Sequence, residues 1–370
     1  MMIPPLPDTL PAPETFSQGV WVKGDWHLHS RHSTDSTNNP QSKIIGFAER
    51  MGFDYLAITD HDVHVMGAVA HHTWADPEFR SDSVLLFYGA ELTAPRGHIN
   101  ILSSDPYDHQ RVFDARDDRD WNLLKLKQEL GVHMSANHPS TKNHYGFSFD
   151  LADSVEIWNG CVWPKNIPGV RIWDDMLLSG RMLGARGGSD AHHGVPDRPD
   201  QIVPQTVEAT SNYVGTPTTW IFAAERSKPA ILQALEQGRA SVSSNPYNPR
   251  VELYADTDGD GVMDMMMGDN VKPDGREVRF EVRLVGGGIA GANYAVRVIK
   301  NRSPFASLVT DADTRSVQFT DTPGIGERNY YRVEIEGPQA PYPEVPNSMA
   351  QSQNMVALSN PLYFNYNPAF

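Results

Sequence analysis

From about residue 19 to residue 245, short β-type runs alternate with amphipathic helical runs, and this alternation constrains the fold more than any other feature. Alternation of this kind is typical of a parallel sheet wrapped by helices. The predicted strands are Val20–Trp26, Tyr55–Thr59, Val84–Ala90, His133–Asn137, Val155–Trp158, Leu183–Gly187 and Ala240–Ser243. We therefore predict an α/β domain built from about seven strand and helix units.

The predicted helices carry apolar residues at the spacing that forms one buried stripe. The first stripe is Ile44, Phe47, Ala48 and Met51, the second is Leu123, Leu124, Leu126 and Leu130, and the third is Ile231, Leu232 and Leu235.

After the turn-rich stretch 245–249 the pattern changes to strict alternation of apolar and polar residues. Alternation predicts antiparallel strands, here arranged as a small β-sandwich packed on the first domain. The apolar positions are Val278, Phe280, Val282 and Leu284 in one run, and Tyr294, Val296 and Val298 in the next, while 361–364 could add a last strand. The predicted domains are a Pro-rich segment at 1–18, an α/β domain at 19–245 and a β-rich domain at 246–370.

Charge and cysteine content narrow the functions that the chain can have. With 31 Lys and Arg against 46 Asp and Glu, the net charge is -15, which repels polyanions and argues against a nucleic-acid partner. No apolar run approaches the roughly 18 residues of a membrane span. The single cysteine, Cys161, excludes an intramolecular disulfide and a cysteine-rich zinc site, so metal ligands are expected among His, Asp and Glu.

The location of the protein and its oligomeric state stay open at this point. The N-terminus lacks the basic and apolar regions of a signal peptide. Its Pro-rich start is compatible with an exported protein, periplasmic or extracellular, whose signal has been removed, and also with a cytoplasmic protein.

Polar residues that can bind metal follow almost every predicted strand, at the end where barrel-like α/β folds build their sites. His27 and His29 are separated by one residue, so in an extended strand both imidazoles point to the same side. The other candidates are Asp35 in the loop 30–37, Asp60, His61 and Asp62, then Glu91, His98, His138, Asp190 and His192. Each alone is more often structural, but together they predict a metal site.

Burial of so many ionisable groups without cations would cost several kcal/mol for each group. Nitrogen and oxygen donors without sulfur suit Zn, Mn or Fe(II), and their number exceeds what one ion can use. We therefore expect two or three divalent transition metal ions.

Residues 20–245 resemble the polymerase and histidinol phosphatase (PHP) family of metal-dependent phosphoesterases. The resemblance lies in the ordered motifs DWHLHS, ITDHD, GAEL, GHINIL, NHP and GGSDAH. The stretches 156–160 and 218–220 are similar to the subgroup that contains carbaryl hydrolases.

The resemblance implies a distorted (β/α)7 barrel that binds three metals. Matched motif by motif, it assigns His27, His29, Glu91 and Asp190 to the first metal, Glu91 with His98 and His138 to the second, and Asp35, His61 and His192 to the third. Asp35 lies one residue later than the usual spacing of its motif, which leaves His32 as an alternative ligand.

The expected mechanism is attack by a metal-bridging hydroxide on phosphorus or on an acyl carbon. His192, His193 or a metal-bound water could protonate the leaving group. The arginines near the motifs, Arg31, Arg96 and Arg186, could bind a substrate anion, although solvated ion pairs are the commoner role for such residues. Asp25, Asp60 and Asp62 are expected to orient the ligating imidazoles. The predicted catalytic set is His192, Asp190, Glu91 and Arg31.

A second ion site is predicted in the acidic stretch 256–267, which has aspartates at alternate positions and a glycine at the sixth. This pattern matches the start of a calcium loop, although Met267 stands where an EF-hand has its glutamate, and an acidic turn is the alternative. The predicted calcium ligands are Asp256, Asp258, Asp260, the carbonyl of Val262, and Asp264. Asp264, at the ninth position, or Asp269 could substitute for the missing glutamate.

The sequence thus predicts a hydrolase of small-molecule phosphate esters. One alternative is a carboxylic or carbamate ester hydrolase with the same metal site, favoured by the apolar surroundings of Trp158, Trp163 and Trp173. A further alternative is a non-catalytic protein that binds its partner through the calcium-bearing β-domain.

Overall fold

The structure is a computed structural model that describes residues 18–36, 39–140, 145–193, 212–344 and 354–367. The Pro-rich segment predicted at 1–18 lies outside the described residues except for Gln18.

Six α-helices and three short 3-10 helices are present in the described residues. The α-helices are α1 Gln41–Arg50, α2 Val69–His72, α3 His109–Asp114, α4 Asp120–Leu130, α5 Ile167–Ser179 and α6 Lys228–Glu236. The 3-10 helices are Asp62–Val65, Phe149–Leu151 and Trp163–Lys165. The three predicted helices correspond to α1, α4 and α6 and are confirmed. Within this described part, no helix has the length and apolarity needed to cross a bilayer.

In the described residues, nine strands precede residue 245. They are β1 Val20–Asp25, β2 Tyr55–Ile58, β3 Leu85–Ala94, β4 Gly97–Ser103, β5 His133–Ala136, β6 Ser154–Asn159, β7 Gly184–Gly188, β8 Thr218–Ala223 and β9 Ala240–Ser243. All seven predicted strands are confirmed to within a few residues. Strands β4 and β8 were not predicted.

These nine strands form a mixed sheet in the order β9-β8-β1-β2-β3-β4-β5-β6-β7, so the predicted parallel pairing holds for only part of the sheet. Pairing is parallel within β1-β2-β3 and within β5-β6-β7, whereas β4, β8 and β9 pair antiparallel. The physical reason at β4 is its connection to β3, which contains only Pro95 and Arg96. A connection this short forms a hairpin and cannot make a parallel crossover.

Strand β7, at one end of this sheet, meets β8 and β9, at the other end, through hydrogen bonds that involve side chains. The N–H of Gly187 in β7 donates to Thr219 Oγ1 of β8 at 3.0 Å. The Asn360 amide accepts from the Ala185 N–H at 2.7 Å and donates to Ala240 O of β9, also at 2.7 Å. Gly187 is required at this seam, because a Cβ there would lie 2.7 Å from Val242 Cγ1. The sheet therefore curls until β7 faces β8 and β9, without a backbone ladder between them in the described residues.

The described residues after 245 contain ten further strands. They are β10 Arg250–Asp256, β11 Met265–Met266, β12 Asn270–Val271, β13 Val278–Val285, β14 Ala295–Lys300, β15 Ser303–Val309, β16 Ser316–Asp321, β17 Asn329–Glu336, β18 Met355–Ser359 and β19 Leu362–Phe364. The alternating runs correspond to β13 and β14, and the predicted last strand corresponds to β19.

Two sheets enclose the C-terminal core. Strands β11, β10, β13 and β16 form a separate antiparallel sheet. Its inner residues, such as Leu253 and Phe280, share one buried cluster with Val298 and Val333 from β14 and β17. Strands β12, β14, β15 and β17–β19 belong to the large sheet, because β18 pairs with β9. The large sheet is therefore continuous across the predicted domain boundary.

Candidate metal centre

Short extensions of the strands bring the histidines and carboxylates to one edge of the sheet. His27 and His29 follow β1, and Asp190 follows β7. The Asp190 N–H donates to His27 O at 2.7 Å and the His29 N–H donates to Ala191 O at 3.0 Å, so the two extensions run side by side. A further parallel bridge joins His61, after β2, to Glu91 in β3. Backbone hydrogen bonds thus fix the register of the site residues.

Glu91 is buried at the centre of five imidazoles. Its Oε1 lies 3.0 Å from His98 Nδ1, 3.3 Å from His27 Nε2 and 3.4 Å from His138 Nε2. Its Oε2 lies 2.9 Å from His61 Nδ1 and 3.5 Å from His29 Nε2. One carboxylate therefore faces two groups of imidazoles, which is the arrangement expected of a ligand that bridges two cations.

Two aspartates complete the cluster. Asp190 Oδ1 lies 3.1 Å from His29 Nε2, 3.5 Å from His27 Nε2 and 3.6 Å from His192 Nδ1. Asp35 Oδ2 lies 3.4 Å from His61 Nε2 and 3.5 Å from His192 Nε2. All nine predicted ligands therefore come together in the structure.

Of the two rival residues in the loop after β1, only Asp35 faces the cluster. The ring of His32 turns to a different carboxylate, with Nε2 2.7 Å from Asp76 Oδ2.

Backbone strain accompanies two of the ligands. Asp190 has φ 50° and His138 has φ 28°, values that L-residues with a side chain rarely adopt. Such strain persists where surrounding contacts hold it, and it is concentrated at functional sites.

The charges of the cluster are strongly coupled. Burial raises the pKa of the Glu91 carboxyl, but the imidazoles of His27, His98 and His61 outweigh this and hold the pKa well below its usual range. Burial lowers the pKa of His61, yet Glu91 and Asp35 together raise it to about 10. Burial, with repulsion from His61 and His192, lowers the pKa of His29 to about 4. The buried carboxylates therefore require positive charge nearby.

The donor atoms fit divalent metal ions. His27 Nε2 and Glu91 Oε2 are buried and have no hydrogen-bond partner among the described residues, although both face the cluster. His61 Nε2 and His192 Nε2 lie 3.4 Å apart, and two imidazole nitrogens at that distance need a proton or a cation between them. Ligand atoms within 4.8 Å of one another form several sets, including His29, His61 and His192; His27, His29 and Glu91; and His61, Glu91 and His98. Such nitrogen and oxygen sets suit Zn, Mn or Fe.

Glu156 orients the imidazole of His27, one of the candidate ligands, and the sequence did not predict this role. Its Oε1 lies 2.9 Å from His27 Nδ1 and accepts from Arg186 Nη1 at 2.9 Å, and both Glu156 and Arg186 are buried. If Nδ1 donates to Glu156, the lone pair of His27 Nε2 points at Glu91 and Asp190. The signal in the sequence was a glutamate inside the otherwise apolar strand 155–158.

The predicted orienting aspartates lie one step further from the metal ligands than expected. Asp60 Oδ1 accepts from Ser33 Oγ at 3.0 Å, and Ser33 Oγ lies 3.2 Å from His29 Nδ1. Asp62 Oδ1 accepts the Thr93 N–H at 2.9 Å, and Thr93 Oγ1 lies 2.8 Å from His61 Nδ1. Ser33 therefore links Asp60 to His29 through its hydroxyl, whereas Thr93 links Asp62 to His61 through its backbone N–H and its hydroxyl.

The carboxylate of Asp25 accepts hydrogen bonds from backbone N–H groups and does not orient an imidazole ring. It accepts the N–H groups of His27 at 3.2 Å, Ser189 at 3.0 Å and Gly215 at 2.8 Å.

The three candidate arginines are engaged elsewhere, so the prediction that Arg31 belongs to the catalytic set does not match its position. Its guanidinium pairs with Asp76 at 2.7 Å and Glu78 at 3.4 Å. Arg96 pairs with Asp120 at 2.6 Å, as expected of an ordinary ion pair. Arg186 is buried against Glu156 and cannot reach a substrate without breaking that contact.

The tryptophans expected beside the site lie mainly in the core. Trp158 and Trp173 are buried in one hydrophobic cluster, and Trp163 packs on Trp158 with ring centroids 4.7 Å apart.

The carboxylates of the acidic loop between β10 and β11 have different partners from those of the cluster. Its four carboxylates accept hydrogen bonds from the loop's own backbone: Asp256 from the Gly259 and Gly261 N–H at 2.7 and 3.0 Å, Asp258 from Asp260 at 3.1 Å, Asp260 from Val262 at 2.7 Å, and Asp264 from Thr257 at 2.9 Å. Arg279 Nη2 also lies 3.2 Å from Asp256 Oδ2. Gly261, at the sixth position, has φ 93° and makes the expected turn.

No protein-family model and no curated protein matches the chain. The chain is similar to a solved structure described as a two-domain protein containing a predicted PHP-like metal-dependent phosphoesterase from Bacteroides vulgatus ATCC 8482. The identity is 14%, the TM-score is 0.45, and the match covers 96% of this chain and 97% of that one. A likeness at this level carries no conclusion about function.

Proposed function

We propose that this protein is a metal-dependent hydrolase of phosphate esters, mono- or diesters, of small molecules. The observation that carries the proposal is the buried Glu91 carboxylate at the centre of five imidazoles, with Glu91 Oε2 and His27 Nε2 aimed into the cluster without hydrogen-bond partners in the described residues. Such a set of donors suits two or three divalent ions, Zn, Mn or Fe.

The nine clustered side chains would hold the ions in three groups. The first group is His27, His29, Glu91 and Asp190, the second is Glu91 with His98 and His138, and the third is Asp35, His61 and His192. When bound, such ions supply a water of lowered pKa and stabilise the charge that develops on a phosphoryl group.

The protein's own residues would position the ligands and supply a proton. Glu156 sets the ring orientation of His27. His192 Nδ1 donates to Asp190 O at 3.0 Å, which leaves Nε2 of the neutral ring as a ligand nitrogen. Because His192 is then occupied, its neighbour His193 is the side chain that we assign to protonate the leaving group.

We also propose that the strands before residue 245 form the distorted (β/α)7 barrel, with β4 and β8 in addition to the seven predicted strands, and that residues 246–370 form the second domain. The contacts of Gly187 with Thr219 and of Asn360 with Ala185 and Ala240 support closure of the barrel.

Calcium binding at the acidic loop is a separate proposal with a structural role at the domain junction. The alternate aspartates and the positive φ of Gly261 support it. A purely calcium-dependent binding protein is less consistent with the molecule, because such a role leaves the buried cluster around Glu91 without a purpose.

Carboxylic or carbamate esters are the competing substrates for the same cluster. Of the three tryptophans that favoured them in the sequence, Trp158 and Trp173 are buried in the core and unavailable to a substrate, and Trp163 is partly buried against the same cluster.

The test combines metal analysis with a substrate panel. Metal content and turnover of phosphomonoesters, phosphodiesters and aryl carboxyl esters are measured for the intact protein, Asp190→Asn, and the control Asp150→Asn, an exposed aspartate paired with Arg181. We expect tightly bound transition metal and phosphate ester turnover that only Asp190→Asn abolishes. Less than one bound ion per chain, or turnover of carboxyl esters alone, would reject the proposal.

A further inference from the structure

A cavity of about 300 Å³ opens beside the metal cluster and is lined by His138 and Glu156. Asn159, also in its lining, donates to Asp190 Oδ2 at 3.2 Å and to Glu156 Oε2 at 3.1 Å. The cavity therefore shares a wall with the ligands of the cluster, and a molecule that occupies it lies next to the site of reaction.

The walls of this cavity are built by specific contacts. Asn166 Oδ1 accepts the Asn159 N–H at 2.8 Å, and its Nδ2 donates to Val162 O at 3.2 Å, so one amide closes the loop after β6. Gly169 in α5 allows the helix to approach Pro139, since a Cβ would lie 2.9 Å from Pro139 O. The shape is thus set by the protein itself, as in most small-molecule sites.

The chemistry of the lining is mixed. Apolar atoms come from Ile157, Val162 and Pro168, and a cationic group comes from the exposed Lys165 at the end of its 3-10 helix. On a chain with a net charge of -15, an ammonium group at this place makes the potential near the cluster locally less negative.

We propose that this cavity binds the leaving group of the substrate and that Lys165 pairs with a second anionic group on it. The substrate class is a small organic phosphate ester with a short apolar spacer and a further carboxylate or phosphate. A volume of about 300 Å³ lies at the small end of ligand sites and suits a leaving group of a few carbon atoms. This inference rests on the proposed phosphoesterase function.

The test measures binding to the manganese-loaded protein by calorimetry. The probes are propylphosphonate, 4-phosphonobutanoate and propane-1,3-bisphosphonate, which share a spacer and differ in the distal group. We expect the two probes that carry a second anionic group to bind about tenfold more tightly than propylphosphonate, and their relative affinities show whether the site prefers a carboxylate or a phosphate-type group. In Lys165→Met the advantage disappears, whereas Lys165→Arg retains most of it. The control is Lys125→Met, which removes a lysine of α4 that is 69% exposed and should retain the full advantage.

Any of three results would overturn the inference. The three probes could bind the intact protein with equal affinity, the tighter binding of the probes with a second anionic group could persist in Lys165→Met, or no probe could bind at all. Turnover of phosphate esters is measured on the same samples. If the protein prefers probes with a second anionic group, and this preference depends on Lys165, but no phosphate ester is hydrolysed, the phosphoesterase proposal is rejected and the anion site is retained. Turnover without that preference rejects only the anion site.

Discussion

Two acid-rich regions of this molecule use their carboxylates in opposite ways. In the cluster at the strand ends, Glu91 is buried among imidazoles with the partly buried Asp190 beside it, and Glu91 Oε2 has no hydrogen-bond partner among the described residues. In the loop between β10 and β11, the carboxylates of Asp256 and Asp260 accept the N–H groups of their own turn. Both regions look like ion sites in the sequence.

The difference shows that the hydrogen-bond and ion-pair partners of carboxylates indicate an ion site better than the number of carboxylates does. An acidic turn that satisfies its oxygens with backbone N–H groups is stable without an ion. A buried carboxylate surrounded by imidazoles needs protons or cations to balance its charge. We therefore expect changes to the cluster to have larger effects than changes to the loop.

The strongest test of this contrast is Glu91→Gln. The amide keeps the size of the side chain but loses the charge that faces five imidazoles, so we expect loss of bound transition metal and a drop in ester hydrolysis of roughly 10³-fold or more. Metal analysis and initial rates measure both. Glu129→Gln, which removes an exposed carboxylate paired with Arg111, is the matched control and should behave as the wild type. Retention of metal and activity in Glu91→Gln would show that the cluster is not a metal centre.

A second test changes a residue that contacts a ligand without belonging to the cluster. Glu156→Gln removes the charge that faces His27 Nδ1 and Arg186, and we expect metal affinity to fall about 10- to 100-fold. Competition with a chelator measures the affinity.

The matched control is Glu236→Gln, because Glu236 Oε1 lies 3.2 Å from His133 Nδ1 in a similar pair away from the cluster. It should leave metal affinity unchanged. If both variants lose affinity equally, general destabilisation and not the orientation of His27 explains the loss.

The third test uses pH in the presence of a chelator. Without metal, His61 has a folded-state pKa of about 10, above the unfolded value of about 6.5. Its protonation therefore stabilises the folded state fully below about pH 6.5, and this contribution is lost as the pH rises toward 10. We expect the free energy of unfolding to fall by on the order of 2 kcal/mol over that range, more than in His61→Asn. A pH-independent stability in the wild type contradicts this.

Local patterns predicted much of the fold. The seven strands and the helices α1, α4 and α6 follow from periodicity, which depends on residues close in the chain. Strand β4 was missed although His98 and Asn100 alternate with Ile99 and Ile101, because the motif GHINIL was interpreted only as part of the metal site. The direction of pairing depends on the length of the connection, as the link of Pro95 and Arg96 shows.

The clustering of the nine candidate ligands was predicted better than the residues around them. These nine are recognisable in the sequence as His, Asp and Glu near strand ends. The roles of Glu156 and Arg186 depend on contacts between residues distant in sequence, such as Arg186 Nη2 with Asn137 Oδ1 at 2.6 Å. The side chain of Arg31 points away from the cluster because it forms an ion pair with Asp76, a residue distant in sequence.

The smallest effect is expected at the acidic loop. Calcium at a few times its dissociation constant should stabilise the intact protein by about 1 kcal/mol, measured as a rise in melting temperature. Asp260→Asn should abolish this response while changing stability in calcium-free buffer by no more than about 0.5 kcal/mol, because Asp260 is exposed. Asp311→Asn, in a turn where Oδ1 accepts the Asp313 N–H at 2.9 Å, is the control that keeps the response. No calcium response in the wild type would mean that backbone N–H groups and Arg279 already satisfy the carboxylates of the loop, and that the loop is not a calcium site.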